Sequence, residues 1–243
     1  MPDRQRADLL LVARGLFDSR ARAQAAIAAG LVTADGRTVA RASEMIARDA
    51  VLAASPAHPW VSRGGVKLAG ALERYPIEVA GRVCLDVGAS TGGFSEVLLK
   101  RDARLVYAVD VGHDQLHPRL RDDPRVRSFE GTDIRELAPD QLPERPDLVV
   151  IDASFISLKL VLPAALALAA RPTDLLALIK PQFEAARRHS KKGIIRDAAI
   201  HAAVCDDIAA FVRSLGCTDV AVFPSPIAGG DGNLEFFVGA RRA

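Results

Sequence analysis

Apolar positions along the chain follow two regimes that change near residue 60. Before that point they are short and interrupted. Leu9, Leu10 and Val12 mark a first short helix that Gly15 stops, and a second helix opens at Ser19, an N-cap residue type, and closes at Gly30 in the C′ position. LVTADGRTV follows, two short apolar runs around Asp35-Gly36, a dipeptide that favours the positive φ angles of a tight hairpin turn. The pattern predicts a small α+β unit of helix, helix and hairpin over residues 1–52. Residues 53–60, AASPAHPW, carry two prolines and little to pack, and read as a linker.

From residue 61 to 243 the pattern alternates strands with helices. VCLDV, LVYAVD, LVVID and LLALIK are continuous apolar runs, as expected of parallel strands buried on both faces. Helices are predicted over 93–101, 114–121, 157–170 and 198–214. DVAVF and LEFFVGA add two strands with no convincing helix between them, which predicts an antiparallel hairpin pair at the sheet edge. The expected fold is α/β, a doubly wound and mostly parallel Rossmann-like sheet preceded by a small α+β domain.

Composition agrees with this division. The 243 residues suffice for one large domain or a medium domain with a small companion, and 49% hydrophobic with 26% charged residues excludes disorder as the main state. The longest apolar run, Leu160 to Ala170, holds Pro163 and is too short for a spanning helix, which needs roughly 20 residues. No membrane association is expected. The N-terminus has no signal-type apolar core, so the chain is expected in the cytoplasm. Cys84, Cys205 and Cys217 lack pairing or metal-type spacing and read as reduced core residues, so neither disulfides nor a metal are expected.

Net charge is only +2, but residues 1–65 hold nine arginines against six acids, so the positive excess is N-terminal. Arg4, Arg6, Arg20, Arg22 and Arg63 are therefore candidates for RNA phosphate contacts, with Arg20 and Arg22 expected to be exposed in the first turn of the second helix. Arg187, Arg188, Lys191 and Lys192 form a second basic cluster after LIKPQF. An ordinary solvated surface is the bland alternative for both.

The glycine-rich segment after VCLDV departs from the GxGxxG order of dinucleotide-binding loops, because Gly88 is followed by three residues and then Gly92-Gly93. Acids at Asp86 on the first strand and Asp110 ending the next suit a ligand with a cationic amino-acid part and a ribose; S-adenosylmethionine has both. Expected contacts run from Asp86 through Gly88, Ala89, Ser90, Thr91, Gly92, Gly93 and Phe94, then Asp110 and Val111. Asp133 and Ile134, after a third strand, would meet the adenine, and Asp152 would also touch the cofactor. Glycines in an ordinary strand-to-helix turn are the alternative.

Asp152 and Lys180 end apolar strands at the carboxyl edge, where doubly wound sheets bind ligands. Only six of the 32 basic residues are lysines, and one ending so apolar a strand is unusual. Partial burial would disfavour its charged form and make a neutral amine available as a proton acceptor. Lys67, in SRGGVKL, and Glu235, amid Leu234, Phe236 and Phe237, are candidates to join the same cleft. Individually each has an ordinary surface or turn explanation.

RADLLLVARGLFDSRARAQAAIAAGLV, VSRGGVKLAGAL, CLDVGASTGGFSEVLL, YAVDVG, DLVVIDASFISLKLVLP, LIKPQFEA and SPIAGGDGNLEFF, in this order, resemble the TlyA group of ribosomal RNA ribose methyltransferases, often labelled hemolysin A. The likeness covers nearly the whole chain. It implies an FtsJ-type catalytic domain using S-adenosylmethionine and an N-terminal RNA-binding domain similar to that of a ribosomal small-subunit protein. Its Lys-Asp-Lys-Glu tetrad falls on Lys67, Asp152, Lys180 and Glu235. It further implies 2′-O-methylation of cytidine in the RNA of the ribosomal subunits. A lytic protein, and a non-catalytic RNA-binding or ribosome-assembly factor, are the rival expectations; oligomeric state is open. Methylation of a base nitrogen would call for Asp/Asn-Pro-Pro-aromatic where this chain has Asp152-Ala-Ser-Phe155.

Overall fold

The computed structural model describes residues 3–185 and 193–243. The chain forms two compact units, Met1–Pro59 and Trp60–Ala243.

In the first unit, helices α1 (Ala7–Ala13) and α2 (Arg20–Ala28) bury Leu10, Leu11, Ala23 and Ile27 against Val32 and Ile46. Ser19 caps α2 by accepting from the Arg22 amide. Strands β2 (Val32–Ala34) and β3 (Arg37–Thr38) form the hairpin, and its turn residues Asp35 and Gly36 both adopt positive φ. Two pairings go beyond the sequence reading: β1 (Arg4–Arg6) with β4 (Met45–Ala47), and β2 with β5 (Leu52–Ala54). Ala53 and Ala54, read as linker, thus belong to the sheet, because small residues can lie on an edge ladder as well as in a connection.

The second unit is built on a seven-stranded sheet in the order β11-β12-β10-β9-β6-β7-β8. Strands β6 (Val83–Val87), β7 (Leu105–Val109), β8 (Val126–Phe129), β9 (Leu148–Ile151) and β10 (Thr173–Ile179) run parallel. β11 (Thr218–Pro224) and β12 (Phe236–Arg242) form the expected antiparallel edge pair, with β12 against β10. Alternation divides the core. Leu85, Val149, Ile151, Leu175 and Ala177 face α6 (Leu158–Leu168) and α7 (Ala198–Ser214), while Cys84, Val106, Val150 and Leu176 face α3 (Arg63–Arg74) and α4 (Gly93–Lys100). Strand order reverses between β6 and β9, so their carboxyl ends open the crevice in which such sheets take ligands.

Helix α3 was not legible as a helix. Its first turn contains Gly64 and Gly65, poor helix formers, yet a Cβ on Gly65 would lie within 2.5 Å of Trp60 side-chain atoms, so close packing explains the glycine. The expected helix over 114–121 shortens to α5 (Pro118–Arg121), opened by His117 and Pro118. Among the described residues, no helix is long and apolar enough to cross a membrane.

Candidate active site

The turn after β6 brings Gly88 against the end of β9. Gly88 has φ +83°, and a Cβ there would sit 2.7 Å from the Asp152 carbonyl oxygen, so glycine is required both by conformation and by space. Beside this contact lies a cavity of about 420 Å³, lined by Gly88, Ser90, Asp110, Val111, Asp133, Ile134 and Asp152, all anticipated from sequence, and by Gln115, Thr132, Ser154 and Phe155, which were not.

The cavity's acids are already organised. Asp110 accepts from the Gly112 amide at 2.7 Å and the Ser90 amide at 2.8 Å, which orients its carboxylate at the rim. Asp133 is paired with Arg135, whose hydrogen bonds hold its carboxyl below the usual range. Val111 is 68% exposed beside them and offers an apolar edge.

Other residues of the glycine-rich segment do not line the cavity. Asp86 is fully buried beneath the turn, accepts from Ser95 Oγ at 2.7 Å, and is pushed up to about 7 by burial, partly opposed by the Ser95 bond. Its strand position was legible and its depth was not. Gly92 closes against Leu116 and Leu120, Gly93 against Ser62 and the Gly65 backbone, and Phe94 stacks near Phe237 at 6.2 Å. Ala89 is buried, and the Thr91 carbonyl accepts from the His117 amide. These residues shape the turn from below.

Two lysine–carboxylate pairs stand at the same sheet edge. Lys67 Nζ lies 2.7 Å from Glu235 Oε2, and Lys180 Nζ lies 2.6 Å from Asp152 Oδ1. The β10–β12 register pairs Ile179 with Phe236, so Lys180 and Glu235 are the next residues beyond one ladder. Gly64, one helical turn before Lys67, places its Cβ direction 3.7 Å from Asp152 Oδ2, which ties α3 to the second pair. Glu235 is further fixed from behind: Gly229 approaches so closely that a Cβ there would lie 2.5 Å from Oε1. All four side chains are largely withdrawn from solvent, which strengthens their interactions over those of surface ion pairs.

Phe155 is 91% exposed, adopts φ +64°, and its ring lies 5.0 Å from that of Phe183. A positive φ on a bulky residue costs energy and clusters at functional sites. Nothing in the residue types announces it.

The basic candidates diverge. Arg20 is exposed and donates to the buried Asp8 carboxylate at 2.9 Å, and Arg6 binds the same carboxylate through two nitrogens. Arg4 is exposed. Arg22, expected to be exposed, is half-buried with its side chain 18% exposed and pairs with Asp18 at 2.8 Å, because the two are i,i+4 neighbours across the helix start. Arg63 donates to the Ala228 carbonyl at 2.6 Å. Arg187, Arg188, Lys191 and Lys192 lie outside the described residues. Among the described residues, no group of three or more His, Cys, Asp or Glu is placed to hold a metal ion.

A doubly wound sheet with a cavity at its switch point, the backbone-anchored Asp110 in its lining and Asp152, partnered by Lys180, beside it is the kind of place where such sheets hold nucleotide-type ligands. The model of the FtsJ-like methyltransferases matches residues 60–242, and the chain belongs to that family. It is 45% identical to the 16S/23S rRNA (cytidine-2'-O)-methyltransferase TlyA of Mycobacterium tuberculosis, over 99% of this chain and 91% of the relative. Hemolysin A of Brachyspira hyodysenteriae is 37% identical over 95% of this chain and 97% of its own length. A solved structure from Streptococcus thermophilus that carries a hemolysin label matches with TM-score 0.79 and 40% identity, over 100% of this chain and 90% of that one.

Proposed function

We propose that this protein transfers a methyl group from S-adenosylmethionine to the ribose 2′-hydroxyl of a cytidine in ribosomal RNA. The observation that carries the reading is the pair of buried Lys–carboxylate contacts at the carboxyl end of the sheet, Lys180–Asp152, whose acid lines the cavity, and Lys67–Glu235. The cavity fits the cofactor by chemistry: Asp110 suits a ribose diol, Asp133 with Ile134 and Val111 suits an adenine, and the Gly88 turn lets a ligand approach the backbone. When bound, S-adenosylmethionine supplies an electrophilic sulfonium methyl.

The chain's own residues then act on the hydroxyl. Lys180 contacts the 2′-oxygen and either polarises it as the ammonium or accepts its proton as the neutral amine, while Asp152 keeps the nitrogen in place. Lys67, held by Glu235, supports the oxygen from α3. Proximity and in-line alignment supply most of the rate, because the proton need not leave before the methyl arrives. Phe155 offers an open aromatic face for the target base, the usual means by which proteins hold an unstacked nucleotide. The first unit, with its arginine excess, serves as RNA-docking module through Arg4, Arg6 and Arg20, and the basic cluster at 187–192 adds contacts. Under this reading the partners are ribosomal RNA and ribosomal subunits, and the working place is the cytoplasm.

Mapping 2′-O-methylation across ribosomal RNA from cells with and without the gene tests the proposal. One or a few ribose-methylated cytidines should disappear in its absence. Identical maps would overturn it.

A further inference from the structure

The Lys180 ammonium has three N–H groups and, among the described residues, three oxygen neighbours, which are not equivalent. Asp152 Oδ1 is nearest at 2.6 Å, yet that oxygen is buried without an aligned hydrogen bond, so the contact supplies charge more than direction. The Asp152 carbonyl is aligned but distant, at 3.4 Å. Among the described residues, the one short and aligned hydrogen bond of Lys180 goes to Ser154 Oγ, at 2.7 Å. Ser154 also lines the cofactor cavity and is followed by Phe155.

A lysine is a flexible stem carrying a rotating point charge, and it needs a directional partner to present one chosen N–H. With one N–H fixed by Ser154 and the nitrogen drawn in by Asp152, the N–H loosely held by the carbonyl is the one a substrate can take over most easily. We propose that Ser154 is a positioning residue for Lys180: its hydroxyl fixes the rotation of the ammonium so that the weakly engaged N–H, or the lone pair left after deprotonation, meets the ribose 2′-oxygen. Ser154 touches neither methyl nor hydroxyl in this role. The inference rests on the methyltransferase reading above and adds a residue outside the four lysines and carboxylates.

The test compares wild type, Ser154→Ala and Ser154→Thr in methyl transfer to purified ribosomal subunits, alongside lysine side-chain NMR of each protein without RNA or cofactor. With only six lysines, the Lys180 signal is assigned by its loss in Lys180→Arg. Ser154→Ala should lower kcat about tenfold with KM for both substrates within about twofold, since orientation is lost and binding is kept. Its Lys180 signal should move, and Ser154→Thr, which keeps the hydroxyl, should restore both rate and signal. Wild-type kcat in Ser154→Ala would overturn the assignment. So would a fall that threonine does not rescue while the Lys180 signal stays in place, since that marks a merely structural defect. A wild-type protein that transfers no methyl group would overturn the methyltransferase reading and the Ser154 assignment with it; when the wild type is active, the two variants alone decide the role of Ser154.

Discussion

The Lys67 ammonium lies 2.7 Å from Glu235 Oε2, with side chains only 10% and 4% exposed, and so joins the helix at the start of the second unit to the residue that leads into the last strand of its sheet. Removing one member leaves the other charged and unpaired in a dry place, whereas a neutral isostere keeps the packing. Lys67→Met and Glu235→Gln should each lower methyl transfer by about a hundredfold or more. The double variant should be little worse than either single one, because the pair acts as a unit. Single-turnover rates measure this, and multiplying losses would contradict it.

Gly88→Ala would place a Cβ 2.7 Å from the Asp152 carbonyl oxygen in a left-handed conformation. It should cost about 1–3 kcal/mol of stability and abolish S-adenosylmethionine binding in calorimetry. Gly216 offers the control: it has φ +81° with nothing within 4 Å, so Gly216→Ala should be strained while keeping cofactor affinity.

Asp86 links stability to pH. Its carboxyl is pushed up to about 7 in the folded protein from 3.8, so between those values the folded state holds the proton more tightly than the unfolded chain. Stability from this group is therefore present at low pH, declines as pH rises through that window and is flat above it. Asp86→Asn should remove this decline and become relatively more stable at pH 8 than at pH 5. Denaturation midpoints at the two values check the point, and parallel shifts in both proteins would refute it.

Arg20 and Arg22 should separate in RNA binding. Arg20 has a side chain 54% exposed and is preset by Asp8, while Arg22 is occupied by Asp18. Arg20→Glu should weaken RNA binding and reduce the salt slope by about one, whereas Arg22→Glu should leave the slope nearly unchanged. Filter binding across a salt series distinguishes them.

The buried parallel strands were legible because burial on both faces leaves continuous apolar runs, as in VCLDV and LVVI. Strand VRSF of β8, expected only as a third strand ahead of Asp133, leaves no such run: it lies at the sheet edge, where exposed positions admit Arg127 and Ser128. The paired lysines and acids could be singled out because a charge amid apolar neighbours conflicts with its surroundings. Ser154 and Phe155 could not, since a serine or a phenylalanine after a strand is ordinary until the backbone's positive φ and the Lys180 contact are known. Depth was the other missing quantity. Asp86 lies within β6 and Asp110 directly follows the neighbouring β7, in similar sequence settings, yet one is sealed under the turn and the other lines the cavity.

In the proposed function, the Lys180–Asp152 and Lys67–Glu235 pairs direct a methyl group to a ribose oxygen. The direct test incubates purified protein with unmodified ribosomal subunits and methyl-labelled S-adenosylmethionine, then digests the RNA to nucleosides for mass spectrometry. The label should appear as 2′-O-methylcytidine and be absent with Lys180→Ala. Label on a base, or undiminished ribose methylation by Lys180→Ala, would contradict the account.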